Sequence, residues 1–174
     1  MGEIISPEKL MERRAEWRRE GQRVVLAAGA FDLLHPGHVR LLEQARGFGD
    51  VMVVAVEDDA TVRAEAGRAK DAARVTTSRP VAPVSERAEI LAALAAVDFV
   101  TELANISAVD WIACFAPDIY AQGGASKVGA GATARALESR DAQPNVPAPD
   151  TIHIPLEPGF STALLIERIQ QIKQ

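Results

Sequence analysis

Along this 174-residue chain, short apolar runs alternate with longer stretches in which apolar residues recur every three or four positions. Runs of the first kind, rich in Val, Ile and Ala, suit strands buried on both faces, and those of the second suit helices with one buried face. The strand-like runs are "RVVLAAGA" (23–30), "VMVVAVE" (51–57), "DFVTEL" (98–103), "DIYAQ" (118–122) and "TIHIPL" (151–156). The opening helix is "SPEKLMERRAEWRRE", with Ser6 as N-cap before Pro7 and Gly21 as its stop. "GHVRLLEQARGFG" sets His38, Leu41, Leu42 and Ala45 at i, i+3, i+4 and i+7 and ends near Gly47. "SERAEILAALAAV", "SAVDWIACFA" with a Ser107/Asp110 capping box, and "STALLIERIQQIK" complete the main helices. A short helix is expected at residues 133–139, ahead of the Pro-rich "DAQPNVPAPD". Strands alternating with helices predict a Rossmann-like three-layer α/β/α sandwich around a five-stranded, mainly parallel sheet, whose ligands bind at the C-terminal strand ends.

Residues 60–83 break the rhythm: polar, Ala-rich and Arg-rich, with room for one short helix before a loop. A loop of that length inside a compact domain points to a mobile lid. The 48% hydrophobic content suffices for one core, so the chain reads as a single domain. A net charge of −5 argues against broad binding to nucleic acid or an anionic membrane, so an anionic ligand must be held locally. Cys114, the lone cysteine, sits in an apolar run and is expected in the core; no internal disulfide can form, which suits a cytoplasmic setting. The first residues hold no apolar segment long enough for a signal peptide or a membrane span. "MGEIIS" matches the bare myristoylation pattern, but Ser6 has a better use as the helix cap.

Two of the three histidines, His35 and His38, are separated only by Pro36 and Gly37, just after the first long strand. On this reading Gly29 to His35 form the loop leaving the strand and His38 stands in the first turn of a helix. Free N–H groups at the helix start, a close backbone approach at Gly37 and two imidazoles together make an anion site. The plainer alternative is that His38 begins the apolar stripe and His35 is a satisfied loop residue. Metal ligation finds no support, since no residues sit at a familiar zinc spacing and His153 is far off in a predicted strand.

The full string is more specific than its histidines. "GAFDLLHPGHVRLLEQAR" resembles the G-x-F-D-x-x-H-x-G-H signature of the cytidylyltransferase-like nucleotidyltransferases. "SRPVAPVSERAEILAAL", "VDFV", "APDIYAQGG" and "GFSTALLIERI" fall in the order seen in adenylyltransferase domains that make ADP-heptose, and "IISPEKLMERRAEWRREGQRVV" resembles their lead-in helix. The resemblance implies that His35 and His38 contact the nucleotide phosphates and stabilise the transition state, with Lys70 or Arg68 meeting the departing charge. It places Ala28, Gly29, Ala30, Phe31, Asp32 and Gly37 around the nucleotide, with Arg79 and Arg87 reaching it. It adds Gln122, Gly123 and Gly124 from "QGG", and Ser161 and Thr162 as phosphate-binding hydroxyls at a helix start.

The implied reaction transfers a nucleotidyl group, AMP favoured over CMP, from ATP or CTP to a sugar or polyol phosphate with release of pyrophosphate. Mg²⁺ is carried mainly by the nucleotide phosphates, and no protein metal site is implied. A glycerol-3-phosphate-type cytidylyltransferase and a catalytically degenerate nucleotide-binding module are the alternatives. The expected partners are these small molecules, with no nucleic acid and no membrane; a homodimer is left open. Relatives commonly carry polar groups at the positions of Ala27, Ala28, Gln122, Ala125 and Ala163.

Overall fold

The structure is a computed structural model that describes residues 1–68, 79–104, 108–123, 149–155 and 158–172. Its sheet has six parallel strands, one more than expected: β1 (Glu3–Ile4), β2 (Val24–Gly29), β3 (Val51–Glu57), β4 (Phe99–Leu103), β5 (Ile119–Gly123) and β6 (Asp150–Ile154), in the order β1-β4-β3-β2-β5-β6. The additional strand is β1. Two exposed residues have no hydrophobic period to read; backbone bonds hold it instead, from the N–H of Glu3 to the Asp98 carbonyl and of Ile5 to the Val100 carbonyl, both 2.9 Å.

Alternation along the central strands feeds two cores, which explains their unbroken apolar runs. Val25, Ala27, Met52, Val54 and Val56 face one side with Leu41, Leu42 and Leu91; Val24, Leu26, Val53 and Ala55 face the other with Leu10, Trp17, Trp111 and Phe115. The helices supplying these partners are α1 (Pro7–Arg19), α2 (Pro36–Arg46), α4 (Val84–Ala92) and α5 (Ala108–Phe115); α3 (Asp59–Arg68) and α6 (Thr162–Ile172) are the other helices among the described residues. Ser6 caps α1 as expected, accepting from the Lys9 N–H, and Gly21 adopts the left-handed φ of +72° beyond its end. Buried Arg14 fastens α1 to the sheet, donating from Nε and Nη2 to the Ala116 carbonyl at 3.0 and 2.8 Å and from Nη2 to Asp118 at 3.1 Å.

Several expectations need correcting. Cys114 is exposed, because α5 turns Trp111, Ile112 and Phe115 inward and leaves Cys114 on the outer side. The helix expected to reach Val97 ends at Ala92, and the apolar residues beyond it pack as turns. Within residues 60–83, the first part is α3 and the last part is tied to Asp32; the remainder, with Lys70, lies outside the described residues. Ser107, Gly124, Ala125 and the helix expected at 133–139 also lie outside them. No helix among the described residues is long and apolar enough to cross a membrane.

From β2 the chain winds through β3 to β4, then crosses back to lay β5 on the opposite side of β2 and β6 beyond it. Winding reverses between β2 and β5, so a crevice opens at their C-terminal ends.

Candidate active site

A cleft of about 300 Å³ occupies that crevice. Ala28 to Asp32 form one wall, His38 and Leu41 of α2 another, and Arg79, Ala121, Gly123 and Thr162 close it. A wider hollow of about 490 Å³ lies outside His35 between α2 and α4, but its lining is mainly Leu34, Val39, Ile90 and Leu94, and the converging polar groups are in the smaller cleft.

The two histidines are brought together as a stacked pair, ring centroids 3.8 Å apart and 15° from parallel. His35 is the N-cap of α2: its Nδ1 accepts from the His38 N–H at 3.3 Å, which leaves Nε2 to carry the proton and donate. Nδ1 of His38 is buried without a partner among the described residues. Burial depresses the pKa of both rings. That of His38 falls to about 4, with His35 adding to the effect of burial. Both imidazoles are therefore neutral at pH 7, so they stack without repulsion and still offer N–H groups to an anion.

Backbone geometry aims the pair. Phe31 sits at a φ of 45°, a strained value for a side-chain-bearing residue, and this turn sets its ring edge-on to His38 at 5.4 Å. Gly29 would accept a Cβ with only Phe31 as neighbour at 3.6 Å, so its bare backbone opens onto the cleft. Gly37 is also closely packed by its neighbours. A Cβ there would come within 3.0 Å of the His35 ring and 3.2 Å of Phe160, so the missing side chain lets the imidazole pack onto the helix. Of the first-turn positions of α2, Pro36 has no N–H and that of His38 is taken by His35, which leaves Gly37 to offer one. Gly37→Ala should thus displace His35 by a few tenths of an ångström; should the pair act on a substrate, turnover falls roughly ten-fold while the melting temperature moves little, because misplacing a reacting group costs more in rate than in stability. Steady-state rates beside thermal melts check this.

Asp32 and Arg87 hold the site from beneath. The Asp32 carboxylate, 3% exposed, accepts from Arg79 Nε at 2.9 Å and from the Val81 and Ala82 N–H groups at 2.6 and 3.3 Å. It anchors the segment before α4 and thereby turns Arg79 to the cleft. Arg87 does not line the cleft. Its guanidinium, 1% exposed, donates to the carbonyls of Ala30 and Ala82 and to Asp59 Oδ1, the last at 2.6 Å. Asp59 carries no expected role from the sequence; it is brought to Arg87, 28 residues away, by the fold.

Across the cleft, Ser161 caps α6 by accepting from the Leu164 N–H at 3.1 Å, and Thr162 faces the cavity. Phe160 stacks beside His35 at 6.4 Å, and Arg40 lies over its ring at 5.5 Å; the sequence reading gave neither a role. Gly123 lines the cavity, but Gln122 does not, because strand alternation sends its side chain to the opposite face.

The Cytidylyltransferase-like family profile matches residues 26–168. The chain is 38% identical over 165 residues to the Bifunctional protein HldE of Koribacter versatilis (strain Ellin345), covering 95% of this chain and 31% of that protein. It is 36% identical over 168 residues to the protein of the same name from Rhodopseudomonas palustris (strain ATCC BAA-98 / CGA009), covering 97% and 31%. The chain thus spans about a third of the length of these relatives. Among solved structures, a lipopolysaccharide core biosynthesis protein from Thermoplasma volcanium GSS1 superposes with a TM-score of 0.62 at 22% identity, covering 79% of this chain and 99% of that one. Pantoate-beta-alanine ligase from Francisella tularensis superposes at 0.56 and 13%, covering 90% and 68%. These two likenesses carry the fold, and the profile match with the 36–38% identities carries the family: the chain belongs to the cytidylyltransferase-like nucleotidyltransferases.

Proposed function

We propose that this chain transfers a nucleotidyl group, AMP in preference to CMP, from a nucleoside triphosphate to a sugar or polyol phosphate. The observation that carries the reading is the neutral, stacked His35/His38 pair at the start of α2, facing a cleft at the sheet's switch point. A phosphate oxygen of the acceptor attacks the α-phosphorus, the α–β bridging bond breaks, and pyrophosphate leaves. The acceptor phosphate is largely ionised at neutral pH, its second pKa being about 6, so no general base is needed. Catalysis then consists of alignment and charge stabilisation. His35 and His38 donate to phosphoryl oxygens, Thr162 and the α6 N-terminus hold another phosphate, and Arg79 adds a fixed positive charge at the cleft wall. Asp32 is already engaged by three donors. Mg²⁺ is taken to ride on the substrate phosphates.

The adenylyl preference is supported by the match to the ADP-heptose branch, and the fold relative from Francisella tularensis was solved with Beta-gamma ATP. Calorimetric titration with Mg²⁺ should show ATP binding about ten-fold tighter than CTP, roughly 1.4 kcal/mol. Pyrophosphate release from ATP with a panel of sugar and polyol phosphates then tests turnover. A clear CTP preference moves the chain to the cytidylyl branch, and binding of neither nucleotide at millimolar concentration overturns the reading.

A further inference from the structure

Four rings and a guanidinium form one run of contacts at the start of α2. The Arg40 guanidinium lies over Phe160 at 5.5 Å, Phe160 stacks with His35 at 6.4 Å and 25° from parallel, His35 stacks with His38 at 3.8 Å, and His38 meets the edge of Phe31 at 5.4 Å. His38 and Phe31 line the nucleotide cleft; Phe160 and Arg40 are not among the residues that line it. Whatever Phe160 and Arg40 contribute to that cleft therefore passes through His35.

The backbone on both sides is shaped for this contact. Gly159, just before Phe160, takes a φ of +86°, and a Cβ there would meet nothing within 4 Å, so what glycine supplies is the left-handed turn and not room for a neighbour. On α2, a Cβ at Gly37 would come within 3.2 Å of the Phe160 Cβ. Phe160 is thus wedged onto the first turn of α2. Directly after it come Ser161, which caps α6, and Thr162 in the cleft wall, so the wedge joins the starts of the two helices. Within α6 only Ile166 is buried, which leaves its first turn dependent on such a tie.

His35 needs the support. The bond from the His38 N–H to its Nδ1, 3.3 Å, is longer than the common range and lets the ring tilt. Stacking with offset rings on its neighbours restricts that tilt, and the tilt decides where Nε2 points.

We propose that Phe160, steadied by Arg40, is a positioning residue for His35: it fixes the angle of the imidazole and with it the direction in which Nε2 donates. The consequence for turnover rests on the nucleotidyltransferase reading; the placement of the ring does not.

Two measurements on the full chain test this: NOEs between the ring protons of His35 and His38, and pyrophosphate release from ATP and Mg²⁺ with mannose 1-phosphate or glycerol 3-phosphate as acceptor. Phe160→Leu keeps an apolar side chain and removes the ring. It should weaken the NOEs between the imidazoles and lower kcat about ten-fold, with KM for ATP within about two-fold of wild type and thermal melts little changed. Phe160→Tyr should restore both. Gly159→Ala, which strains the turn and deletes no contact, and Arg40→Met, which keeps the stem and loses the charge, should change both readouts in the same direction by less; they carry the test should Phe160→Leu fail to fold. Unchanged imidazole NOEs in the folded variants overturn the proposal, as does a loss of stability with kcat per folded molecule intact. A raised KM for ATP with kcat unchanged would make Phe160 a nucleotide contact and overturn it as well. If wild type neither binds ATP nor releases pyrophosphate, the nucleotidyltransferase reading fails, and the NOE comparison still decides whether Phe160 sets the ring.

Discussion

Turnover should fall by roughly 10²–10³-fold in His35→Ala and again in His38→Ala, with both variants still folded, because in the proposed reaction each change removes a preorganised donor from the place where phosphoryl charge develops. The structure separates the two roles. His35 caps α2 and stacks on His38, so its loss also frees the first turn of the helix, whereas His38 faces the cleft with Phe31 at its edge. His35→Asn, which restores a capping side chain, should therefore recover stability but not rate, and that split marks the imidazole as catalytic. Near-wild-type turnover in either folded alanine variant would remove the histidines from the mechanism.

The depressed histidine pKa values also fix a pH dependence. His38 titrates near 4 in the folded protein, against 6.5 as its ordinary value, so between these the unfolded chain binds a proton that the folded one refuses. Its contribution to stability is present above about pH 6.5 and is lost as pH falls toward 4. Glu57 works in the opposite sense: raised from 4.5 to about 7, it favours the folded state at low pH and loses that contribution as pH rises through 7. The two overlap, so the informative quantity is the difference between wild type and His38→Ala. That difference should shift in favour of the variant as the pH of thermal melts is lowered from 7 to 4.5.

What could be read from the sequence, and what could not, follows from the range of each interaction. β2 and β3 were legible because strands buried on both faces leave an unbroken Val/Ala record, and the His35/His38 pair was legible because three residues at a helix start must share one turn. β1 left no such record, since two exposed residues are placed by backbone bonds to the turn after α4 and to β4. Cys114 looked like core by composition, yet the phase of α5 turns it outward. Gln122 shows a signal that was available. The alternation that buries Ile119 and Ala121 on one face puts Gln122 on the other, away from the cleft its motif suggested. Asp59 had no local signal at all, because its partner Arg87 arrives from another helix.

That partnership should dominate the stability of the site. Arg87→Met is expected to destabilise the fold by about 2–3 kcal/mol, below the scale of a fully buried ion pair because Asp59 is 33% exposed and its carboxylate stays partly solvated. Three groups depend on the guanidinium: the Ala30 carbonyl in the loop leaving β2, the Ala82 carbonyl before α4, and Asp59 at the first turn of α3. Methionine fills the volume but leaves two carbonyls and a carboxylate without their donors in a region where the side chain is 1% exposed. Adding Asp59→Asn to this background should recover part of the loss, since it removes the carboxylate that Arg87 had neutralised; the double-mutant cycle gives the coupling directly. Urea denaturation measures all four proteins. If Arg87 instead served by touching the nucleotide, Arg87→Met would weaken ATP binding with the unfolding midpoint unchanged. The geometry gives the opposite order: the midpoint falls first, and nucleotide affinity falls only as far as the loop carrying Ala30 and Phe31 loses its support.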